Sequence, residues 1–84
     1  SEYYGIRPDS ISVAKGLTSA YLPMSACIVS EKIWSVIYEK GNIHGVFGHG
    51  YTYSAHPVSA AAALCNLEII EREGLVERAA ENGK

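Results

Sequence analysis

The sequence predicts an α/β fold, a strand-loop-strand unit followed by helices. Two short strand patterns come first: residues 11–13 alternate apolar and polar side chains, and residues 24–29 form an almost wholly apolar run bounded by Pro23 and Ser30. Two longer helical patterns follow, at residues 30–40 and 57–73. No repeat or low-complexity linker separates these patterns, which favours one continuous structural segment.

The first helical pattern has a serine at its start and a glycine at its end. Ser30 is suited to the N-cap position, and Gly41 is placed to stop the helix after about Lys40. At helical spacing, one stripe of this helix is apolar. That stripe consists of Ile33, Trp34, Ile37 and Tyr38.

The second helical pattern begins at Pro57, a residue suited to the first helical position, and Gly74 is its predicted C′ residue. A short helix from Leu75 to about Glu81 is predicted to follow. The first half of the long helix, residues 58–67, is apolar on almost every side and is interrupted only by Ser59 and Asn66. Such a helix is normally buried on most sides, so it is predicted to pack against structure beyond the 84 residues.

Between the two helices, residues 41–56 form a long glycine-rich stretch with three aromatic side chains, at Phe47, Tyr51 and Tyr53. A connection of this length inside a compact protein is usually functional or disordered, and the aromatic residues argue against disorder. Three histidines lie in the same stretch, but a metal site would need them to converge with a further ligand, so no metal is predicted.

The composition excludes some classes of binding partner and indicates a cellular compartment. A net charge of −2 provides no basic surface for nucleic acid or an anionic membrane, and no apolar run is long enough to cross a bilayer. Cys27 and Cys65 form no paired motif and are interpreted as small buried thiols of a cytoplasmic protein. Neither terminus has the pattern of a chain end, so residues 1–84 are predicted to be a segment of a longer protein.

Lys15 is the candidate catalytic residue. It is the only charged residue between Asp9 and Glu31, and it follows an apolar strand and precedes a glycine. In an apolar site the charged form of a lysine is penalised, which makes the amine nucleophilic and suited to a Schiff base with a carbonyl cofactor. The alternative is a lysine that simply extends from a strand end into solvent.

Two motifs in register carry a family resemblance. Residues 7–23 (RPDSISVAKGLTSAYLP) resemble the cofactor-lysine segment of the class III, or omega-type, aminotransferases, and residues 47–57 (FGHGYTYSAHP) resemble the second hallmark of that family. Residues 67–76 continue the similarity. The resemblance implies a pyridoxal 5'-phosphate enzyme of fold type I, with residues 1–84 as a single incomplete segment of its large cofactor-binding domain.

The resemblance assigns roles to three residues. Lys15 matches the lysine that holds pyridoxal phosphate as an internal aldimine and later moves a proton between substrate and cofactor. Thr52 matches the threonine whose hydroxyl binds the cofactor phosphate in the neighbouring subunit of a homodimer. Tyr51 occupies the aromatic position beside it. The residues that pair with the pyridinium nitrogen, stack on the cofactor ring and bind the substrate carboxylate fall outside the segment in relatives.

Two positions depart from the family pattern, because relatives commonly have glycine where this sequence has Ala20 and Ala55. If the backbone at these positions is left-handed, each alanine is predicted to cost about 1 kcal/mol.

Three functions are compatible with these motifs. The favoured one is transamination between an amine or omega-amino acid and a 2-oxo acid such as pyruvate. The stretch at residues 18–23 and the His56-Pro57 pair resemble omega-amine:pyruvate enzymes more than ornithine-type ones. An aminomutase of the same fold is the second, but it usually has a run of glycines after the lysine. The third is a non-catalytic segment that associates with itself through its apolar helix.

Overall fold

The computed structural model describes residues 2–84, and its elements follow the predicted order. Two strands precede three α-helices, with short 3-10 turns at Glu2–Tyr4 and Lys15–Leu17. The strands are β1 (Ser10–Val13) and β2 (Ala26–Val29), and the helices are α1 (Glu31–His44), α2 (Pro57–Arg72) and α3 (Leu75–Asn82). The predicted strand-loop-strand unit followed by helices is therefore confirmed.

The chain divides into two compact units, which are described separately. The first comprises the residues up to Val13 together with Ala26–Ser54, and so contains both strands, α1 and the glycine-rich segment. The second comprises Ala14–Ser25 and Ala55–Lys84. It contains α2, α3 and the turn at residues 15–21, which is called the lysine turn.

In the first unit, β1 and β2 form an antiparallel pair with Ser10 opposite Val29 and Val13 opposite Ala26. The second strand is shorter than its apolar pattern predicted. The prediction that it is buried is wrong for this chain, because Ile28 is 55% exposed and Cys27 is also exposed. A two-stranded ribbon cannot bury both of its faces, which requires further strands or a covering helix.

Helix α1 runs one turn further than predicted, to His44, and Gly41 lies inside it. The prediction that Gly41 stops the helix is wrong, because an interior glycine costs only about 1 kcal/mol relative to alanine and does not by itself break a helix. The helix stops instead at Gly45, whose φ of 84° is unfavourable for residues with a side chain. Ser30 occupies the predicted N-cap position, although its hydroxyl does not cap the helix.

In the second unit, α2 begins with Pro57 and ends where Gly74 adopts a left-handed conformation, both as predicted. Two small side chains of α2, Ser59 and Ala63, are buried. Larger apolar side chains on α2 remain between 46% and 63% exposed, so the predicted burial on most sides does not occur within this segment. Those side chains are Val58, Leu64 and Leu67.

The two cysteines are free and exposed, so their interpretation as buried thiols is wrong for this chain. Among the helices of residues 2–84, none combines the length and the apolar character that crossing a bilayer requires.

Candidate active site

Lys15 opens a tight turn in the second unit. Its carbonyl oxygen accepts hydrogen bonds from the backbone N–H groups of Thr18 (3.3 Å) and Ala20 (3.1 Å), while the N–H of Leu17 donates to Ala14 (3.1 Å). The Lys15 side chain is exposed and makes no ion pair with the described residues. Residues 2–84 alone therefore do not form the apolar site expected around Lys15, and its catalytic role stays a prediction.

The lysine turn is strained at three residues that are not glycine. Lys15, Ser19 and Ala20 all have left-handed backbones, with φ values of 49°, 51° and 61°. A residue with a Cβ pays about 1–2 kcal/mol for this conformation. Such strain persists only where surrounding contacts fix the backbone, and it is often found at functional sites. The left-handed backbone considered for Ala20 is observed, and Ala55 has it too, at φ 57°.

Two side chains hold the strained turn. Thr18 is only 2% exposed, and its hydroxyl donates a 2.6 Å hydrogen bond to the Leu22 carbonyl. Asn66, on α2, donates from Nδ2 to the carbonyls of Gly16 (2.7 Å) and Leu17 (3.2 Å). The hydroxyl of Ser19 donates to Asn66 Oδ1 at 2.7 Å. The Asn66 amide thus forms three hydrogen bonds with the turn, two as donor from Nδ2 and one as acceptor at Oδ1.

Neither Thr18 nor Asn66 was among the site residues predicted from the sequence. A signal for Asn66 existed, because it is one of only two polar residues that interrupt the apolar half of α2. A polar side chain in such a place normally has a hydrogen-bonding partner. The partner could not be read from the sequence, since it lies 50 residues away along the chain.

A cavity of about 320 Å³ lies against the lysine turn. Its lining combines the primary amine of Lys15 and the hydroxyl residue Thr18 with apolar side chains. The apolar lining residues are Ala20, Leu22, Pro23 and Met24. The arrangement places one lysine at the edge of a space large enough for part of a small organic molecule.

Thr52 and Tyr51 belong to the first unit, in a turn near the end of the glycine-rich segment. The N–H of Tyr51 donates to Ser54 Oγ (2.8 Å), and the N–H of Ser54 donates to the Tyr51 carbonyl (3.0 Å). Thr52 lies inside this turn and is exposed. Its hydroxyl has no hydrogen-bond partner among residues 2–84, so it is available to an external acceptor.

Aromatic contacts order the segment that leads to Thr52. The ring of His49 meets Phe47 at 5.9 Å and Tyr51 at 5.4 Å between centroids, both edge-to-face. Tyr51 is nevertheless 77% exposed. In the part of the chain that is described, no three histidine, cysteine or acidic side chains converge as metal ligands would.

Comparison with known proteins decides the family. The family model for class III aminotransferases matches residues 1–84, the whole chain. The chain belongs to the class III aminotransferases. It is 54% identical over 99% of its length to a diaminobutyrate–2-oxoglutarate transaminase of Halomonas elongata, and covers 18% of that protein. It is 48% identical over 92% of its length to gamma aminobutyrate transaminase 3 of Solanum lycopersicum, and covers 15% of it.

Solved transaminase structures have the same fold in the matching region. A transaminase from directed evolution by ancestral reconstruction superposes with a TM-score of 0.92 at 59% identity, over 99% of this chain and 18% of its own. A thermostable omega transaminase engineered for synthesis of bulky amines superposes with a TM-score of 0.87 at 43% identity, over 96% and 18%. The family and the α/β fold predicted from the sequence are thus confirmed, for a segment that spans under a fifth of these relatives.

Proposed function

We propose that the protein containing this segment is a pyridoxal-phosphate-dependent aminotransferase that uses Lys15 to bind its cofactor. It would move an amino group from an amine or omega-amino acid to a 2-oxo acid such as pyruvate. The observation that carries the proposal is the Lys15 amine, exposed on a strained turn beside an open cavity, in a chain that matches the class III family throughout.

The described residues have the chemistry that pyridoxal phosphate requires. Its aldehyde needs a primary amine, which Lys15 supplies, and its phosphate needs hydrogen-bond donors. The unpaired hydroxyl of Thr52 is such a donor. A Cβ added to the nearby Gly50 would meet no atom closer than 3.8 Å, so the described residues leave space beside this turn unoccupied. Residues 1–84 would thus supply one incomplete segment of the large cofactor-binding domain.

Lys15 has two tasks in this proposal. When bound, pyridoxal phosphate acts as an electron sink that stabilises negative charge on the substrate carbon. Lys15 Nζ would hold the cofactor, and once the substrate amine has displaced it, the same amine would move a proton between the substrate carbon and the cofactor. A positioned base of this kind typically contributes about 10²- to 10⁴-fold to the rate.

Thr52 would bind the phosphate of the cofactor held by the neighbouring subunit of a homodimer, with the Tyr51 ring beside it. The exposed turn supports this assignment, because the Thr52 hydroxyl has no hydrogen-bond partner among residues 2–84. Removing one hydrogen bond to a charged acceptor costs roughly 1.5–3 kcal/mol, so the contact would matter for cofactor affinity.

The names of the relatives suggest a donor whose amino group lies at the end of a carbon chain. Diaminobutyrate and gamma-aminobutyrate occur in the names of transaminases that are 54% and 47% identical to this chain, respectively. The acceptor would be pyruvate or another 2-oxo acid; the Halomonas elongata relative is named for 2-oxoglutarate. A cytoplasmic location is part of the same proposal.

Borohydride reduction of the whole protein tests the proposal. Reduction fixes the cofactor to the amine that holds it, and peptide mass mapping should then find a pyridoxyl group on Lys15. Lys32 and Lys40, both exposed on α1, are internal controls and should stay unlabelled. Labelling at either of them instead of Lys15 would refute the assignment. The isolated 84-residue segment should show no transamination above that of free pyridoxal phosphate.

A further inference from the structure

One face of α2 is directed at the lysine turn. Ser59, Ala63 and Asn66 lie at helical spacings of four and three and so share a face. The first two are small and buried, and Asn66 is half-buried. This face therefore combines two small buried side chains with Asn66, whose amide hydrogen-bonds the turn.

The orientation of the Asn66 amide is dictated by its partners. The carbonyl oxygens of Gly16 and Leu17 can only accept hydrogen bonds, so the amide nitrogen must face them. The amide oxygen then accepts from the Ser19 hydroxyl. One side chain thereby connects three of the four residues that follow Lys15.

We propose that Asn66 is a positioning residue that holds the lysine turn and so determines where the Lys15 amine sits. The inference rests on the proposed function of Lys15. It goes beyond that function because Asn66 would act through Gly16, Leu17 and Ser19 and would touch neither cofactor nor substrate.

The strain of the turn explains why such a residue is needed. Lys15, Ser19 and Ala20 all have unfavourable left-handed backbones, so the turn relaxes unless external contacts hold it. The Asn66 side chain belongs to another element and forms three hydrogen bonds with this turn, to Gly16, Leu17 and Ser19. Displacing a reacting group by about 1 Å can lower a rate about 10²-fold, so a relaxed turn would affect the chemistry.

The test replaces Asn66 by aspartate in the whole protein. Asn66→Asp keeps the shape of the side chain and the acceptor for Ser19, but it removes both donors and places a carboxylate against two carbonyl oxygens. Asn82→Asp is the matched control. Asn82 is exposed at the end of α3, makes no side-chain hydrogen bond with the described residues, and undergoes the same change of charge.

Three measurements separate positioning from general stability. In the cofactor-free protein, hydrogen exchange at the amides of Leu17, Thr18 and Ala20 should accelerate at least about tenfold in Asn66→Asp, because local opening becomes easier. In the loaded protein, the rate of amino transfer per bound cofactor should fall by roughly 10²-fold. The pH midpoint of the visible absorbance of the cofactor should also shift. Asn82→Asp should change none of these quantities.

The outcomes distinguish this inference from the proposed function. If borohydride labels Lys15 but Asn66→Asp keeps its exchange rates, its rate per cofactor and its pH midpoint, only the role of Asn66 is refuted. A lower yield of folded protein with an unchanged rate per cofactor would also refute it. If Lys15 is not labelled, the proposed function fails first.

A milder variant covers the case in which Asn66→Asp does not fold. Ser19→Ala removes only the donor to Asn66 Oδ1. It should accelerate the same amide exchange and lower the rate per cofactor by a smaller factor, roughly two- to tenfold, as expected for one hydrogen bond. Wild-type values for Ser19→Ala would refute the inference in that case.

Discussion

The lysine turn and the turn at residues 51–54, which contains Thr52, are held in opposite ways. The lysine turn has a strained backbone. It is fixed by backbone hydrogen bonds, by the buried Thr18 and by the Asn66 amide. The turn of Tyr51 and Thr52 is fixed by one serine and by exposed ring contacts. The lysine turn is thus fixed from within its own unit, whereas the turn of Tyr51 and Thr52 leaves the Thr52 side chain and the neighbouring rings exposed.

This difference corresponds to the two roles proposed. A group that forms and breaks covalent bonds must be held closely, because misplacement is costly to the rate. A group that contributes one hydrogen bond across an interface can complete its ordering when the partner arrives. The comparison therefore predicts large and local effects for changes at the lysine turn, and smaller effects that depend on the partner for changes at Thr52.

The largest expected effect is that of Lys15→Ala in the whole protein. Loss of the amine removes both the cofactor attachment and the proton carrier, so kcat/KM for amino transfer should fall by about 10²- to 10⁴-fold or more. Steady-state kinetics together with the cofactor absorbance measure this directly. Lys40→Ala, an exposed lysine on α1, is the control and should retain normal activity. Near-normal turnover by Lys15→Ala would contradict the assignment of Lys15.

The next effect is that of Thr52→Ala on cofactor affinity. Loss of one hydrogen bond to a charged acceptor should raise the cofactor dissociation constant about 10- to 150-fold, which corresponds to roughly 1.5–3 kcal/mol. Titration of the cofactor-free protein with pyridoxal phosphate measures the constant. Thr52→Ser keeps the hydroxyl and should stay close to the original affinity. Equal affinities for Thr52→Ala and the unchanged protein would show that the hydroxyl does not bind the phosphate.

Mixing variants tests whether Thr52 serves the other subunit. A heterodimer of Thr52→Ala and Lys15→Ala would have one site with both lesions and one with neither, if Lys15 and Thr52 of different subunits share a site. Activity at limiting cofactor should then recover on subunit exchange. If both residues served the same subunit, every site would keep one lesion and no recovery would occur.

The local elements were predictable from the sequence because local signals determine them. Pro57 at the start of α2 and the left-handed Gly74 after it were both predicted from residue type and position. Gly41 shows where local signals fail. The surrounding helix outweighs the small cost of one glycine, so α1 ends at Gly45 instead.

The site was predictable in part. The resemblance assigned Lys15, Thr52 and Tyr51, and those roles stay predictions until the chemistry is measured. The support for the lysine turn could not be derived from sequence, because Asn66 lies 50 residues from Gly16 and only the tertiary structure brings them together. The same holds for the exposure of Lys15, Cys27 and the α2 side chains. It depends on the structure that surrounds them, which the sequence of residues 1–84 does not specify.

The smallest expected effect is that of replacing Ala20 or Ala55 by glycine. Ala20 and Ala55 have nearly equal left-handed φ values, 61° and 57°. Replacement by glycine removes about 1–2 kcal/mol of backbone strain from the folded state. It also raises the conformational entropy of the unfolded chain, which lowers the stability by about 0.4–1 kcal/mol. Each substitution should therefore stabilise the protein by roughly 0.5–1 kcal/mol. Hydrogen exchange at the nearby amides of Tyr21 and Ser54 should slow by about two- to fivefold in the respective variants.

The rate of amino transfer should separate the two alanines where stability does not. Ala20 belongs to the turn that carries Lys15, so Ala20→Gly also changes the backbone that positions the amine, whereas Ala55→Gly leaves that turn untouched. A rate per bound cofactor that changes in Ala20→Gly and stays constant in Ala55→Gly would show that the strain at the lysine turn contributes to function. Equal rates in both variants would show that the turn tolerates either residue and that its hydrogen bonds alone define the position of Lys15.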